Sequence, residues 1–319
     1  MQYVLAPLAG FTDAAFRTMC LDGGADIAYA EMVSAAAIAH NHKATYHLCE
    51  TLPEEKNVVL QIFGANELDI ASAIRTLDRI ASGRFIAFDL NAGCPMAKVT
   101  RCGAGSKLIE EPEKIGRLLQ VMRENTSLPV SLKTRLGPRI GEKRIFEIID
   151  AAEQAGVSSI AVHARYTSQL HGGPLDLETL GEVVKRTSVP IIGNGSIVDR
   201  KSAALMAATG VHGVMIGRAA LTNPYIFSQL KGNAIEDINK IALLEKHLRL
   251  LIELHGRLRE KYPDDHLPSL DGFASVKMHI HLFRYFNGMP GAAGIRARLN
   301  KIRTLQEIRS LVAEYHANV

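Results

Sequence analysis

Short apolar runs alternate with longer amphipathic stretches over roughly the first 230 residues of the chain. The apolar runs are rich in β-branched residues and predict strands at residues 3–7, 27–32, 57–63, 85–91, 129–136, 158–165, 189–195 and 213–219. Between most of these strands, apolar positions recur with helical spacing and predict helices at residues 67–81, 113–125, 144–155, 177–187 and 199–209. This alternation is typical of an α/β fold, and its length favours a (β/α)8 TIM barrel.

An open, doubly wound sheet is the alternative architecture, because it shows the same alternation. Two features of the sequence favour the barrel. The first predicted strand is not followed by a G-x-G-x-x-G turn, and chemically useful residues stand at the carboxyl ends of most strands. In a barrel those ends meet at one mouth, whereas in an open sheet they would be dispersed.

The strand pattern stops at about residue 235, and only helical patterns follow it. They cover residues 238–260, 275–286 and 291–317, with Pro263, Pro268 and a turn at 287–290 between them. Proline and glycine at these points interrupt regular structure. The sequence therefore predicts two domains, a TIM barrel at residues 1–234 and an all-helical domain at residues 235–319.

The composition is that of an ordinary globular protein, with 47% hydrophobic and 22% charged residues among 319, which excludes disordered and fibrous classes. No apolar run reaches the roughly 18 residues that a membrane helix needs, and the amino terminus lacks the basic segment of a signal peptide. The four cysteines are too few for a disulfide scaffold and lack zinc-site spacing. We therefore expect a cytoplasmic protein with no membrane contact, no metal site and no obligate protein partner.

Positive charge is concentrated towards the carboxyl end of the chain. Residues 231–319 contain 14 Lys and Arg against 10 Asp and Glu, whereas the remainder of the chain is balanced. Residues 272–306 contain no acidic residue, and their basic residues are Lys277, Arg284, Arg296, Arg298, Lys301 and Arg303. Such a block is typical of a surface that binds a polyanion, although a solvated helical surface would carry the same charges.

Glycines and one arginine follow the last two predicted strands of the barrel. Residues 193–195 are Gly-Asn-Gly, and Gly217 and Arg218 follow the next strand. Glycines let backbone N–H groups approach phosphate oxygens, and an arginine adds a charge-assisted hydrogen bond. TIM barrels commonly bind phosphate at this place, so we expect a phosphate site here, with a pair of tight turns as the alternative.

The other residues at the strand ends allow more than one role. Lys133 could form a Schiff base or neutralise charge on a bound ring, and the Gln61 amide suits the edge of a heteroaromatic ring. Cys94 could donate a proton, attack as a nucleophile or pack as a small buried residue, and Cys102 offers a second thiol nearby. His163 could act as an acid, bind a phosphate or lie in the core.

Several segments resemble the tRNA-dihydrouridine synthase family, in the order in which that family has them. They are APLAGFTD at 6–13, EMV at 31–33, QIFG at 61–64, DLNAGCP at 89–95, LKTRLG at 132–137, IGNG at 192–195 and MIGRAA at 215–220. The N-x-G-C-P pattern around Cys94 is the most specific of them. The carboxyl-terminal region also resembles the helical RNA-binding domain of the family, at VKMH in 276–279 and FNGMPG in 286–291.

The resemblance implies a TIM-barrel enzyme that binds FMN and uses NADPH to reduce the 5,6 double bond of particular uridines in tRNA. Cys94 corresponds to the general acid of the family, and Asn91 and Arg165 would contact the flipped uracil. Lys277 and Arg298, in the basic helical region, would contact the tRNA. The implied flavin-binding residues are Pro7, Leu8 and Ala9 along the ring, Gln61 at its edge, Lys133 and His163 near its pyrimidine portion, and Asn194, Gly195, Ser196, Gly217 and Arg218 at the phosphate.

Two segments depart from the pattern of the family. Residues 164–166 are Ala-Arg-Tyr where many members have Gly-Arg-Thr, and residues 103–107 differ although they retain small side chains. The roles of Tyr166 and of the loop at 100–107 stay open, as do the modified uridine, the choice of NADPH over NADH and the oligomeric state. The alternatives are a flavin barrel that reduces a free pyrimidine or other small enone, and an inactive tRNA-binding protein on the same barrel.

Overall fold

The computed structural model describes residues 1–80, 83–233, 239–286, 294 and 298–317. Within these residues, one parallel sheet holds nine strands: β1 (Gln2–Leu5), β2 (Ile27–Tyr29), β3 (Val33–Ser34), β4 (Val58–Phe63), β5 (Ala87–Ala92), β6 (Val130–Arg135), β7 (Ser159–His163), β8 (Ile191–Asn194) and β9 (Gly213–Ile216). Strand β1 pairs with both β2 and β9, and β2 also pairs with β4. These pairings close the sheet, which confirms the predicted TIM barrel.

The second barrel strand is interrupted, although the sequence predicts it as one strand at 27–32. Tyr29 on β2 pairs with Val59, and Val33 on β3 pairs with Ile62. The β2–β3 segment therefore has one residue more than β4 between the two pairings, which is the geometry of a β-bulge. Glu31 lies in this bulge, at the carboxyl end of the strand.

Helices alternate with the strands and then replace them. They are α1 (Ala14–Asp22), α2 (Ala35–Ala39), α3 (Lys43–Tyr46), α4 (Glu67–Ile80), α5 (Ala97–Thr100), α6 (Pro112–Glu124), α7 (Ile145–Gln154), α8 (Leu177–Arg186), α9 (Arg200–Ala207), α10 (Ile226–Leu230), α11 (Lys240–Lys261), α12 (Leu270–Tyr285) and α13 (Leu305–Ala317). Short 3-10 helices lie at His47–Cys49, Gly105–Glu110 and Thr167–Gln169. Helix α12 begins before the predicted residue 275 because the Ser269 hydroxyl accepts a hydrogen bond from the Gly272 N–H, 3.2 Å away, and caps it.

The carboxyl-terminal helices pack on the first helix of the barrel. Ala14, Ala15 and Met19 of α1 share one apolar core with buried leucines of α11 and with Met278 and Leu282 of α12. The helices are therefore seated on the barrel through a common hydrophobic interface. The predicted domain boundary at 234/235, the turn at 287–290 and Arg296 lie outside the described residues.

The described part of the chain contains neither a membrane helix nor a metal-binding cluster. No helix there is long and apolar enough to cross a membrane. Over the same residues, no three His, Cys, Asp or Glu side chains are grouped so that they could hold a metal ion.

Candidate active site

The thiol of Cys94 lies just beyond the carboxyl end of β5, where one side chain fixes the backbone of its loop. Asn91 Oδ1 accepts hydrogen bonds from the N–H groups of Gly93 and Cys94, at 3.2 and 3.0 Å. Cys94 is half-buried at the mouth, whereas Cys102 is exposed. The loop is thus held like an Asx turn, which sets where the thiol is presented.

A buried chain of hydrogen bonds supports Asn91 from below. Its Nδ2 donates to Gln61 Oε1, and Gln61 Nε2 donates to Asp89 Oδ2, both at 2.7 Å. The Ser131 hydroxyl donates to the other Asp89 oxygen, also at 2.7 Å. Burial raises the pKa of Asp89 to about 6, although the hydrogen bonds from Gln61 and Ser131 lower it. Gln61 and Asn91, both predicted as ligand contacts, are therefore tied to each other.

The loop at 100–107, whose role the sequence left open, packs against Cys94. The N–H of Ser106 donates to the Cys94 carbonyl oxygen at 2.9 Å. Gly105 has φ +61°, and a Cβ built on it would lie 2.6 Å from that same oxygen. A side chain at this position would displace the thiol loop, so the small residues of this segment form its other support.

Two nitrogen bases, Lys133 and His163, belong to the neighbouring strands β6 and β7. Lys133 Nζ donates to Asn194 Oδ1 at 3.2 Å. Burial, reinforced by Arg135, lowers the pKa of Lys133 to about 8. Burial and the nearby cations, first of all Lys133, hold the pKa of His163 well below its ordinary value, so its imidazole is neutral. Its buried Nδ1 has no hydrogen-bond partner among the described residues.

Arg135 is a site residue whose role the sequence did not indicate. Its Nε donates to Gly93 O at 2.8 Å, and its Nη1 donates to Leu170 O at 2.8 Å and Tyr166 O at 3.3 Å. Burial lowers the pKa of Arg135 to about 10. The available signal was its place two residues after Lys133 on one strand, which puts both side chains on the same face.

Arg165 and Tyr166 follow β7, and their side chains have different roles. Arg165 donates through Nε and Nη2 to Gly173 O, at 3.1 and 2.8 Å, and through Nη2 to Ser196 Oγ at 2.7 Å. Its buried Nη1 has no partner among the described residues. Tyr166 is buried, and its hydroxyl donates to Asp176 Oδ2 at 3.0 Å. Tyr166 therefore anchors its loop, and Arg165 keeps a donor free for a ligand.

The predicted phosphate residues and the loop after β1 lie together because β9 pairs with both β8 and β1. A Cβ on Gly217 would lie 3.7 Å from side-chain atoms of Ala6 and Leu8, and Gly195 has φ +132°. The exposed Arg218 lies next in the chain. Two glycine turns, an arginine, an unpaired Arg165 donor and an unpaired ring nitrogen of His163 fit an anionic ligand with many hydrogen-bonding edges.

Lys277 and Arg298, the residues predicted to contact tRNA, are both paired with carboxylates. Lys277 Nζ lies 3.4 Å from Asp13 Oδ2 and 3.5 Å from Glu31 Oε1. Burial lowers the pKa of Lys277, but these two carboxylates outweigh it and raise the pKa. Arg298 is exposed and pairs with Glu314 at 2.6 Å. Lys277 thus bridges the helical region to the barrel, a role that the sequence did not indicate.

Nearly the whole chain is similar in sequence to known dihydrouridine synthases. The sequence model of the dihydrouridine synthase (Dus) family matches residues 4–318. The tRNA-dihydrouridine synthase B of Pseudomonas putida is 32% identical over 312 residues, which cover 95% of this chain and 88% of that protein. A probable tRNA-dihydrouridine synthase of Helicobacter pylori is 31% identical, and the match covers 98% of this chain and 90% of that protein. One from Aquifex aeolicus is 36% identical over 72% of each chain.

Proposed function

Because the chain belongs to the dihydrouridine synthase family, we propose that it is a tRNA-dihydrouridine synthase, which binds FMN and uses NADPH to reduce the 5,6 double bond of particular uridines in tRNA. The observation that carries this proposal is the fixed presentation of Cys94 at a cation-rich mouth, with Asn91 below it and Gly105 beside it. We place the enzyme in the cytoplasm, where it would meet its tRNA substrate.

The residues of the mouth fit FMN. Asn194, Gly195, Ser196, Gly217 and Arg218 would hold its phosphate, because glycine turns and an arginine suit that group. Lys133 and the orphaned Nδ1 of His163 would face its pyrimidine portion, and a cation there stabilises negative charge on a ring. The remaining contacts would come from Pro7, Leu8, Ala9 and Gln61. When bound, FMN supplies the hydride for the reduction.

Cys94 would supply the proton. The double bond of uracil is a poor electrophile, so addition of hydride to one of its carbons benefits from protonation of the other. A thiol held within reach of that carbon can donate this proton, which contributes about 10²–10⁴-fold in rate. Arg165 would donate through Nη1 to a carbonyl oxygen of the base, a role supported by the absence of any other partner for this buried nitrogen among the described residues.

The substrate base must leave the RNA stack to reach the mouth. We propose that the basic helical region, including the exposed Arg298, binds tRNA phosphates while the barrel receives the base. The Asn91 side chain already binds Gln61 and the thiol loop, so it acts on the uracil chiefly by placing Cys94. The choice of uridine would follow from how the two regions orient the tRNA.

Replacing Cys94 by alanine tests this proposal. We expect the Cys94→Ala protein to retain bound flavin but to lose about 10²–10⁴-fold in dihydrouridine formation, because only the proton donor is removed. The matched control is Cys102→Ala, which removes an exposed thiol from the same region and should keep full activity. Dihydrouridine is measured by mass spectrometry of nucleosides after incubation of tRNA with NADPH, and flavin by its release on denaturation.

The same assay separates the alternatives. Faster reduction of free uracil or uridine than of tRNA would favour the small-substrate reductase, and a purified protein without flavin would favour the inactive tRNA-binding protein. Removal of the helical region is a poor test, because it would uncover the apolar side chains that α1 buries against it.

A further inference from the structure

Large apolar side chains are exposed along one arc of the barrel mouth. The loops after β5, β6, β7 and β8 each present one: Met96 is 62% exposed, Ile140 71%, Leu170 55% and Val198 62%. Exposed apolar residues are ordinary when scattered. Here the four strands are neighbours in the sheet, so their loops are consecutive around the rim. Among the four, Leu170 has an unusual backbone.

Leu170 adopts φ 52° and ψ −102°, close to the first central position of a type II′ turn. The hydrogen bond from the Gly172 N–H to the Gln169 carbonyl oxygen, 2.9 Å long, closes this turn. Glycine dominates at that position, because a Cβ is crowded there. The leucine therefore costs stability, and a side chain that is 55% exposed regains little of it by packing. Strain of this kind is typically kept at functional sites.

The strained turn is attached to the thiol loop through one guanidinium. Arg135 donates through Nη1 to the carbonyl oxygen of Leu170 and through Nε to that of Gly93, both at 2.8 Å. Gly93 directly precedes Cys94 in the chain. The turn is thereby held at a fixed place beside the thiol.

Two more arginines border the turn and leave it positively charged. Arg165 Nη2 donates to Gly173 O at 2.8 Å, and Arg218 Nη2 lies 3.5 Å from His171 O. All three arginines bind the loop through neutral carbonyl oxygens, which leave their charge uncancelled. An exposed apolar tip surrounded by such charge suits RNA, which offers apolar base faces next to phosphates.

Resting on the proposed function, we propose that Leu170 is a wedge that packs against the bases next to the extruded uridine and occupies the place in the stack that the uridine leaves. An apolar side chain that replaces a lost stacking partner offsets part of the cost of unstacking. Because leucine makes no hydrogen bonds, it would serve whichever bases flank the target. Leu170 is thus a positioning residue for the flipped state of the substrate.

The variant Leu170→Gly separates the wedge from the fold. Glycine is free to adopt the backbone of this turn, so the melting temperature should equal or exceed that of the wild type. Flavin content should be unchanged. With the apolar contact removed, kcat/KM for dihydrouridine formation on folded tRNA should fall by about tenfold. Leu170→Met, which restores a large apolar side chain, should recover most of that loss.

Leu205 provides the matched control. It is also a leucine with 55% exposure, but it lies on α9 outside the mouth. Leu205→Ala should leave kcat/KM unchanged. Wild-type kcat/KM in Leu170→Gly, or an equal loss in Leu205→Ala, would overturn the wedge and leave the proposed function intact. If the wild type forms no dihydrouridine in this assay, the proposed function fails and the wedge fails with it.

Discussion

The cations of the barrel mouth and those of the junction between barrel and helical region have different partners. At the mouth, Arg135 and Arg165 donate to backbone carbonyl oxygens, and Lys133 donates to an amide oxygen. At the junction, formed by Asp13, Arg17, Glu31, Glu55 and Lys277, each cation meets a carboxylate. The mouth therefore retains net positive charge, whereas the junction leaves neither of its two cations without a counter-charge.

This difference indicates that the cations of the mouth serve ligand binding, whereas those of the junction hold the barrel and the helical region together. Uncompensated cations repel one another and destabilise the fold, so a mouth that retains them is suited to an anionic ligand that would neutralise them. Buried pairs add little net stability but are costly to break, because one charge is then left alone. A cation of the mouth should thus be removable with a gain in stability, and a charge of the junction only with a loss.

The largest effect is expected where a buried pair of the junction is broken. Arg17 Nε donates to Glu55 Oε1 at 2.7 Å, and both side chains are fully buried. Glu55→Gln keeps the shape but leaves the guanidinium without its counter-charge, which should cost about 3–5 kcal/mol of unfolding free energy. Urea denaturation measures this loss. The control is Asp150→Asn, which breaks the exposed pair with Arg186 on the outside of the barrel and should change nothing measurable.

An equally stable Glu55→Gln protein would contradict the comparison, because the junction would then not depend on paired charge. A comparable loss in Asp150→Asn would do so as well, since it would show that ion pairs matter equally everywhere in this molecule.

A smaller effect of opposite sign is expected for Lys133→Met at the mouth. Folding lowers the pKa of Lys133 from 10.5 to about 8, so between these pH values the unfolded chain binds more protons than the folded one. The unfolding free energy of the wild-type apoprotein should therefore rise with pH across this window. Lys133→Met should be more stable by about 1–3 kcal/mol at pH 7, a gain that disappears by about pH 10.5.

Thermal or urea unfolding of flavin-free protein at pH 7 and at pH 10 checks this prediction. Under the proposed function, flavin retention should also decrease in this variant, because the ring would lose a cation. A Lys133→Met apoprotein that is less stable than wild type at pH 7 would show that this cation contributes to the fold rather than to ligand binding.

The sequence was most informative where structure depends on local pattern. Apolar periodicity located α4 and α8 to within a residue, and strand ends such as Cys94 and His163 could be assigned to one mouth because barrel topology brings them together. The sequence pattern did not indicate the β-bulge in the second barrel strand or the cap of helix α12. The break around Glu31 depends on pairing with β4, and the early start of α12 depends on a hydrogen bond from Gly272 to Ser269.

Contacts between distant segments could not be predicted from one sequence. Lys277 belongs to a run without acidic residues, which is typical either of a polyanion-binding surface or of a solvated helical surface. Its two carboxylates, Asp13 and Glu31, come from the opposite end of the chain and meet it only because α12 packs beside α1. The role of Arg135 could not be predicted for the same reason, because its acceptors are backbone atoms of two other loops.

The smallest expected effect distinguishes the two basic residues that the sequence treats alike. Arg298 lies in an exposed pair with Glu314 of the helical region, whereas Lys277 is held by two buried carboxylates of the barrel. Each phosphate contact adds about 0.7–0.9 to the slope of log Kd against log salt concentration. Arg298→Ala should therefore reduce the slope for tRNA by about that amount, and Lys277→Met should leave it unchanged while lowering the unfolding free energy. A reduced slope in Lys277→Met, with stability retained, would assign this lysine to the RNA and leave the junction without its bridge.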